Sequence, residues 1–477
     1  MMARRPLPAR LRRAIFSLAV IAAASVAAPA AASASPQGVA KPSLSEGSLV
    51  QLPGKRGCLI PRSKYRSSCG TARAIKGPGP FMGSRAIQIS PDGRNVYVAS
   101  SGSDAIAVFQ RNRRSGVLSQ AAGKAGCVTA KSNSNCGPAI GLRGPNSIAV
   151  SPDGRNVYAT SRDSGSITAF KRNSSTGALK QLGQGGCISG PAITGCQTGR
   201  ALDGPDVVTI SPDGDNVYVG SFFGNALAVF DRKASGALTQ PADETGCITD
   251  AVTSGCAQGL ALDSPEGMAV SGDGKNVYVA TAVSNAVLNF SRDASTGALT
   301  QATDGTGCIV DSALTGCTTG TNISGANAVA VSPGGHDVYV TSLISTSLTS
   351  FSRSSGDIFQ LPGTSGCVLW LGGNGCSPGR ALRAPEGLAL SPDGANVYVT
   401  AFSSGAVAVM DRDRQTGTVV QKSGGGGCLT VQSIAKCRRG RMLAGASSVV
   451  VSANGRHVYT TAFNSNSVGI FRRVPGR

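Results

Sequence analysis

Ser90-Pro91-Asp92-Gly93-Arg94-Asn95-Val96-Tyr97-Val98 is the stretch that organises the chain. Related copies begin at Ser151, Ser211, Ser271, Ser332, Ser391 and Ser452, at spacings of 61, 60, 60, 61, 59 and 61 residues. A fixed period outranks other sequence signals, because each repeat must be one supersecondary unit stacked on its neighbours. Each copy reads as strand, tight turn, strand. An apolar run such as Ser147-Ile148-Ala149-Val150 enters the turn. Proline presets φ, aspartate bonds its own backbone, and glycine accepts positive φ. Asn-Val-Tyr-Val then leaves as a β-branched and aromatic strand.

A complete unit runs from Gly144 to Leu202. Strand A is expected at Ser147–Ser151, strand B at Asn156–Thr160, strand C at Ser166–Arg172 and strand D at Ala178–Gln181. Strand C recurs as an aromatic, one residue and Arg, as in Phe170-Lys171-Arg172, with Met410-Asp411-Arg412 as the variant. Strand D recurs with a glutamine: Gln120, Gln181, Gln240, Gln301, Gln360 and Gln421. Four antiparallel strands repeated seven times predict an all-β, seven-bladed β-propeller. The first element after the N-terminal region, Gly47–Gln51, matches strand D, and the last, Asn466–Arg473, matches strand C. The N-terminus is therefore expected to supply the outer strand of the last blade and remove an exposed edge.

Fourteen cysteines fall into seven local pairs. They are Cys58 with Cys69, Cys127 with Cys136, Cys187 with Cys196, Cys247 with Cys256, Cys308 with Cys317, Cys367 with Cys376, and Cys428 with Cys437. One pair per repeat in an even count reads as seven local disulfides, one in each repeat's loop. Zinc needs four converging ligands, and no histidine lies near any pair. Closing a loop of this size is worth roughly 2.5–3 kcal/mol in the chain-entropy model.

Arg4, Arg5, Arg10, Arg12 and Arg13 precede an apolar run, Ile15 to Ala28, and small-residue cleavage sites near Ala32 to Ala34. Residues 1–34 thus read as a signal peptide, of general or twin-arginine type, 35–46 as a lead-in and 47–477 as the propeller. A secreted or cell-envelope location follows as an expectation, and a monomer is expected. The formal charge of +20 falls to about +15 without the leader's arginines. Anionic surface polymers are candidate partners. The basic residues are spread over all repeats and no basic-aromatic array appears, so nucleic acid is not expected.

The repeated Ser-Pro-Asp-Gly-x-x-Val-Tyr-Val motif, over about residues 47 to 475, resembles the YVTN-type and lactonase-like seven-bladed propellers. That resemblance implies the fold, and places candidate chemistry at the mouth of the central channel, where the family's hydrolytic members carry acids, Arg and His. One position at the start of each strand A should point at the channel: Arg85, Asn146, Asp206, Glu266, Asn327, Glu386 and Ser447. All are polar. In a lactone-type site Arg85 would polarise a carbonyl and Glu266 or Glu386 would act as base. The two histidines, His336 and His457, sit in A-to-B turns on the other face, so a channel histidine is missing. No cofactor is expected, apart from a divalent cation such as calcium held by Asp206, Glu266 and Glu386. The aspartates at 92, 153, 213, 273 and 393 are turn residues.

Departures from the repeat mark a second candidate. The B-to-C loops carry Phe222, Phe223, Val283, Leu343, Ile344, Phe402 and Phe463, where Ser101 and Arg162 stand in the first two blades. The only tryptophan, Trp370, lies in a cysteine loop. Clustered on one face, such residues would anchor a ligand. The sequence thus favours an exported, non-catalytic module that binds a small molecule, glycan or protein at the channel-mouth face. A lactonase-like hydrolase or isomerase and a structural surface repeat protein are the alternatives.

Overall fold

In each repeat a tight turn ending in glycine, Pro-Asp-Gly in four of them, folds an apolar strand back on a β-branched one, and seven such hairpins grow into seven sheets arranged as blades. The computed structural model describes residues 44–61, 68–79, 85–131, 135–183 and 185–476. The expected leader and most of the lead-in lie outside them. Leu44 onward forms one unit.

Blade 2 is representative. Strand A is Pro145–Val150, B is Asn156–Ser161 and C is Ser166–Arg172, paired antiparallel in that order. The outer strand differs from the expected single strand D. It is split into Leu179–Gln181, on the end of C, and Cys187–Ser189, on its start. The chain then returns as Gln197–Thr198, parallel to the second piece. Each blade is therefore a six-stranded sheet rather than a four-stranded one. The disulfide explains the extra strand: the first cysteine opens the second outer piece, and the bridge draws the returning chain alongside it.

All seven expected bridges form. Cys58–Cys69 has a Cα–Cα distance of 5.0 Å, Cys127–Cys136 and Cys247–Cys256 of 4.8 Å, and Cys187–Cys196 of 4.6 Å. Cys308–Cys317, Cys367–Cys376 and Cys428–Cys437 each span 4.9 Å. Among the described residues no cysteine is free.

Closure follows the expected register. Leu49, Val50 and Gln51 pair with Arg473, Arg472 and Phe471, and Cys58 and Leu59 pair with Gly469 and Val468. Both pieces of the last outer strand thus come from the N-terminal end.

The core lies between blades. Tyr97 and Ala99 of blade 1 pack with Ile148, Val157 and Phe170 of blade 2, and the other junctions repeat this. Apolar packing is non-directional, and a polar latch fixes its geometry. Arg172, ending strand C of blade 2, reaches into blade 1: Nε donates to Tyr97 Oη at 2.9 Å, and Nη2 to Asp92 Oδ2 at 2.7 Å and Asn95 Oδ1 at 2.6 Å. Asp92 Oδ1 meanwhile accepts from Ser90 Oγ and the Arg94 amide, so one aspartate shapes the turn and receives the next blade. Arg111, Arg232, Arg292, Arg353, Arg412 and Arg473 bind Tyr459, Tyr158, Tyr218, Tyr278, Tyr339 and Tyr398 in the same way. The buried hydrogen bond to a charged group carries most of the energy, roughly 1.5–3 kcal/mol. The half-exposed ion pair adds little.

Two blades lack the turn aspartate. In blade 5, where Gly334 replaces it, Asp337 stands at the Asn position and pairs with Arg412. In blade 7, Asn454 and His457 leave no acid, and Arg111 Nη2 lies 3.0 Å from His457 Nδ1. Burial, then the Arg111, Arg456 and Arg472 charges, push the imidazole down to about 4. Its neutral form is the one the fold keeps.

A chain beginning at Pro53 should melt roughly 5–10 °C below one beginning at Leu44; equal melting would refute the closure role of Leu49–Gln51. His457 carries its own pH signature. Below its ordinary value of 6.5 the unfolded chain takes up a proton that the fold refuses until about 4, so stability drains across that window. His457→Asn should therefore narrow the Tm difference between neutral pH and pH 4.5, measured by thermal melts.

Candidate functional site

The channel position of each strand A has a backbone cause. In six blades the A–B register shifts across it, between Pro145 and Ser147, Pro205 and Val207, Pro265 and Gly267, Ala326 and Ala328, Pro385 and Gly387, and Ala446 and Ser448. Asn146, Asp206, Glu266, Asn327, Glu386 and Ser447 are thus the bulged residues, and a bulge re-aims its side chain away from the ladder. After both glutamates comes glycine. A Cβ on Gly267 would lie 2.6 Å from Asn327 O, and one on Gly387 would lie 2.6 Å from Ser447 O. Only glycine lets the next strand A approach so closely.

Six of the seven ring positions are buried, and Arg85 is half-buried. Asp206, Glu266 and Asn327 are 0% exposed, and Asn146, Glu386 and Ser447 are 1% exposed. Several are committed to structure. Asn327 Nδ2 donates to Pro385 O at 2.9 Å, while its Oδ1 accepts from Thr341 at 2.7 Å. Ser447 Oγ lies 3.0 Å from Thr461 Oγ1. Arg85 crosses the ring, donating to Val329 O at 3.1 Å. Burial alone pushes its guanidinium down to about 10, and no carboxylate contributes. Arg85 therefore does not join Glu266 and Glu386 as expected, because its charge is spent on a strand carbonyl of blade 5.

A different arginine meets the acids. Arg162 Nη2 lies 2.7 Å from Asp206 Oδ1, which also accepts from Asn146 Nδ2. The Arg162 guanidinium stacks 5.0 Å from the Phe222 ring and 5.7 Å from Phe223, which themselves meet edge-on at 5.2 Å. Arg162 was visible in the sequence as a break in an apolar loop column, but its partner is in the next blade. Burial pushes Asp206 up to about 6, against the pull of Arg162. Glu266 is driven well above the carboxylate range by burial, then by the charge of Asp206, with Glu386 adding to it. Neither Glu266 oxygen has a hydrogen-bond partner among the described residues. The site is thus two buried carboxyl groups, Asp206 and Glu266, whose proton affinities are raised by burial and whose charges oppose one another, under an arginine whose side chain is 19% exposed.

Asp206, Glu266 and Glu386, the candidate calcium ligands, are not drawn into one cluster of three. Among the described residues no group of three or more His, Cys, Asp or Glu could hold a metal ion. Asp206 turns to Arg162 and Asn146.

The loop aromatics divide. Phe222 is buried, whereas Phe223, Val283 and Ile344 are exposed. Phe402 and Phe463 are half-buried and face each other at 6.4 Å. Trp370, expected as an exposed anchor, is half-buried against the core of blades 5 and 6, with the Arg383 guanidinium 4.9 Å from its ring. A concavity of about 730 Å³ lies on the turn face, lined by Asp92, Asp153, Lys171 and Arg172 among others. Its polar lining largely belongs to the latches.

Among the described residues no helix is long and apolar enough to cross a membrane. No curated protein matches the chain. Its fold is shared with a protein assigned as 6-phosphogluconolactonase from Bacteroides uniformis ATCC 8492, at 19% identity and a TM-score of 0.52, over 77% of this chain and 88% of that one. A protein with the same assignment from Bacteroides fragilis NCTC 9343 aligns at 16% identity and a TM-score of 0.52, over 91% and 93%. Hydrazine synthase of Kuenenia stuttgartiensis aligns at 19% identity and a TM-score of 0.51, over 83% and 97%. At these identities the likeness is one of fold, and the fold serves unrelated chemistries. The family model described as lactonase, 7-bladed β-propeller, matches residues 76–194 and 268–428, more than half of the chain. The chain belongs to the seven-bladed β-propeller lactonase family.

Proposed function

We propose that the channel mouth hydrolyses a small lactone, with Asp206 as general base and Glu266 as general acid. The observation that carries this is the pair itself: two fully buried carboxyl groups in adjacent blades whose charges oppose one another, with Asp206 paired to Arg162 and Glu266 without a hydrogen-bond partner among the described residues. Environments that push two titratable groups apart are how acid and base roles are divided. Asp206 would take a proton from water as the water adds to the lactone carbonyl. Glu266 would give its proton to the ring oxygen as the acyl–oxygen bond breaks. Arg162, the one partly exposed member, would meet the substrate first, and its displacement would uncover the acids. Family membership supports the lactone class. The seven disulfides support an oxidising, exported setting.

A second reading is the non-catalytic binding module. The complete burial of Asp206 and Glu266 favours it, as do the exposed Phe223, Val283 and Ile344 along the loops. The acids would then hold the rim in shape while a ligand rested on the loops.

A panel of sugar and aliphatic lactones separates the two. Hydrolysis by the wild type should fall ~100-fold in kcat/KM in Glu266→Gln and in Asp206→Asn. The acidic limb of the pH–rate profile should lie near 6, the Asp206 value, and move to higher pH in Arg162→Met, which removes the charge that holds Asp206 down. A folded wild type that opens no lactone would sink the hydrolase and leave the binding module.

The same site predicts a stability cost. The raised value of Glu266 means that ionising it opposes folding, so its penalty grows as pH rises above 4.5. Glu266→Gln should therefore raise Tm at pH 8 and change it little near pH 4.5. An equal shift at both would show that Glu266 is not held protonated.

A further inference from the structure

The segments that run from strand D to the next strand A carry the disulfides and follow one another round the ring. Four consecutive segments, 361–384, 422–445, 52–79 and 121–144, contain no Asp or Glu. They carry Lys and Arg instead, and Lys55, Arg56, Lys76, Lys124, Lys131 and Arg439 are exposed. Segments 241–264 and 302–325, in blades 3 and 4, are the converse. They hold Asp243, Glu244, Asp250, Asp263, Asp304 and Asp311 and no Lys or Arg. The basic residues look scattered along the chain because segment 52–79 is far from 422–445 in sequence. Ring closure seats its described parts, 52–61 and 68–79, between blades 6 and 1 and joins the four segments into one arc.

The arc is tied together by main-chain contacts. Arg380 Nη2 donates to Lys422 O at 2.8 Å, Arg441 Nη1 to Ser68 O at 2.9 Å, and Arg73 Nη1 to Asn135 O at 2.9 Å. Gln421, Gln51 and Gln120 clasp the backbone of Arg380, Arg441 and Arg73. Among the described residues Lys55, Arg56, Lys76, Lys124 and Arg439 form no ion pair. Arg438 keeps a buried Nη1 without a hydrogen-bond partner among the same residues. One sign of charge along a fixed track repels itself, and a polyanion relieves this with release of its counterions.

We infer that this arc, from blade 5 through blades 6 and 7 to blade 1, is the docking track for a linear acidic polysaccharide. A flexible chain follows the arc and avoids the acidic sector, which a flat anionic membrane laid over the whole rim would also meet. Nucleic acid fits less well, because the four segments hold one Trp and one Tyr and so offer no run of stacking aromatics. This surface is separate from the Asp206–Glu266 site.

Binding of dextran sulfate and of alginate tests it, measured on the full chain at about 50 and about 200 mM salt. The rim variant Lys55→Glu/Arg56→Glu/Lys124→Glu/Arg439→Glu should bind at least ~10-fold more weakly, with the salt slope reduced by roughly 3–4. A control with the same charge change on the turn face, Arg94→Glu/Arg114→Glu/Arg155→Glu/Lys171→Glu, should lose less than ~2-fold. The corresponding glutamine set at the rim should show the same ordering if the glutamates impair folding. Equal losses in rim and control variants would reduce the effect to net charge and overturn the track. Tighter binding to phosphatidylglycerol vesicles or to a single-stranded DNA oligomer than to either polysaccharide would overturn the choice of partner.

Discussion

The ring rests on a guanidinium that crosses from the end of each strand C into the preceding blade. Apolar faces alone would hold neighbouring sheets together without fixing their angle. The Arg–Tyr bond supplies direction, because a planar fork and a buried hydroxyl meet in one geometry. Tyr97 completes the arrangement by donating to Gly177 O in the C–D turn of blade 2. The turn residues therefore belong to the junctions as much as to their own hairpins. This is also why the loss of aspartate in blade 5 is offset at once by Asp337. In blade 7 no acid stands at the junction, and the imidazole of His457 meets Arg111 instead.

A ring built this way presents one bulged residue in six of its seven blades, at equivalent positions of strand A. Variation in side chain alone then makes a site. Asp206 and Glu266 occupy equivalent positions in adjacent blades, yet they differ in their partners. One receives Arg162 from the preceding blade's loop and the other does not. Glu386 stands in blade 6 beyond Asn327, which is engaged by Pro385 O and Thr341. The asymmetry among the ring positions thus comes from a single loop substitution and one amide on a nearly sevenfold frame. A buried carboxyl group with no hydrogen bond is costly to a fold, and such costs are concentrated at functional sites.

Much of this was legible in the residues. The period gave seven blades, the mismatch between the first and last elements gave the closure, and the cysteine spacing gave the local bridges. The channel column was readable because the residue after each Pro-like step is polar in every copy. What was hidden depends on contacts between blades. The Phe-x-Arg ending recurs visibly, but its tyrosine and aspartate lie roughly 75–80 residues earlier. Arg162 stood out as an exception without showing that Asp206 would receive it. Arg85 looked like a partner of the glutamates, but it extends across the ring to Val329 O. The split outer strand was hidden too, since a cysteine in a Gly-rich stretch reads as loop until the bridge aligns it.

The closure has a consequence for the order in which the molecule is completed. Each bridge joins cysteines 9 or 11 residues apart, so every correct partner is at hand before any two blades meet. Oxidation can proceed repeat by repeat as the chain is made, with distant cysteines excluded by simple proximity. The first bridge of the chain, Cys58–Cys69, is the exception in its destination. It is synthesised before all other blades but belongs to the outer edge of the last, and it has no sheet to join until residues 467–473 arrive. The first bridge along the chain and the pairing that completes the ring therefore share one strand.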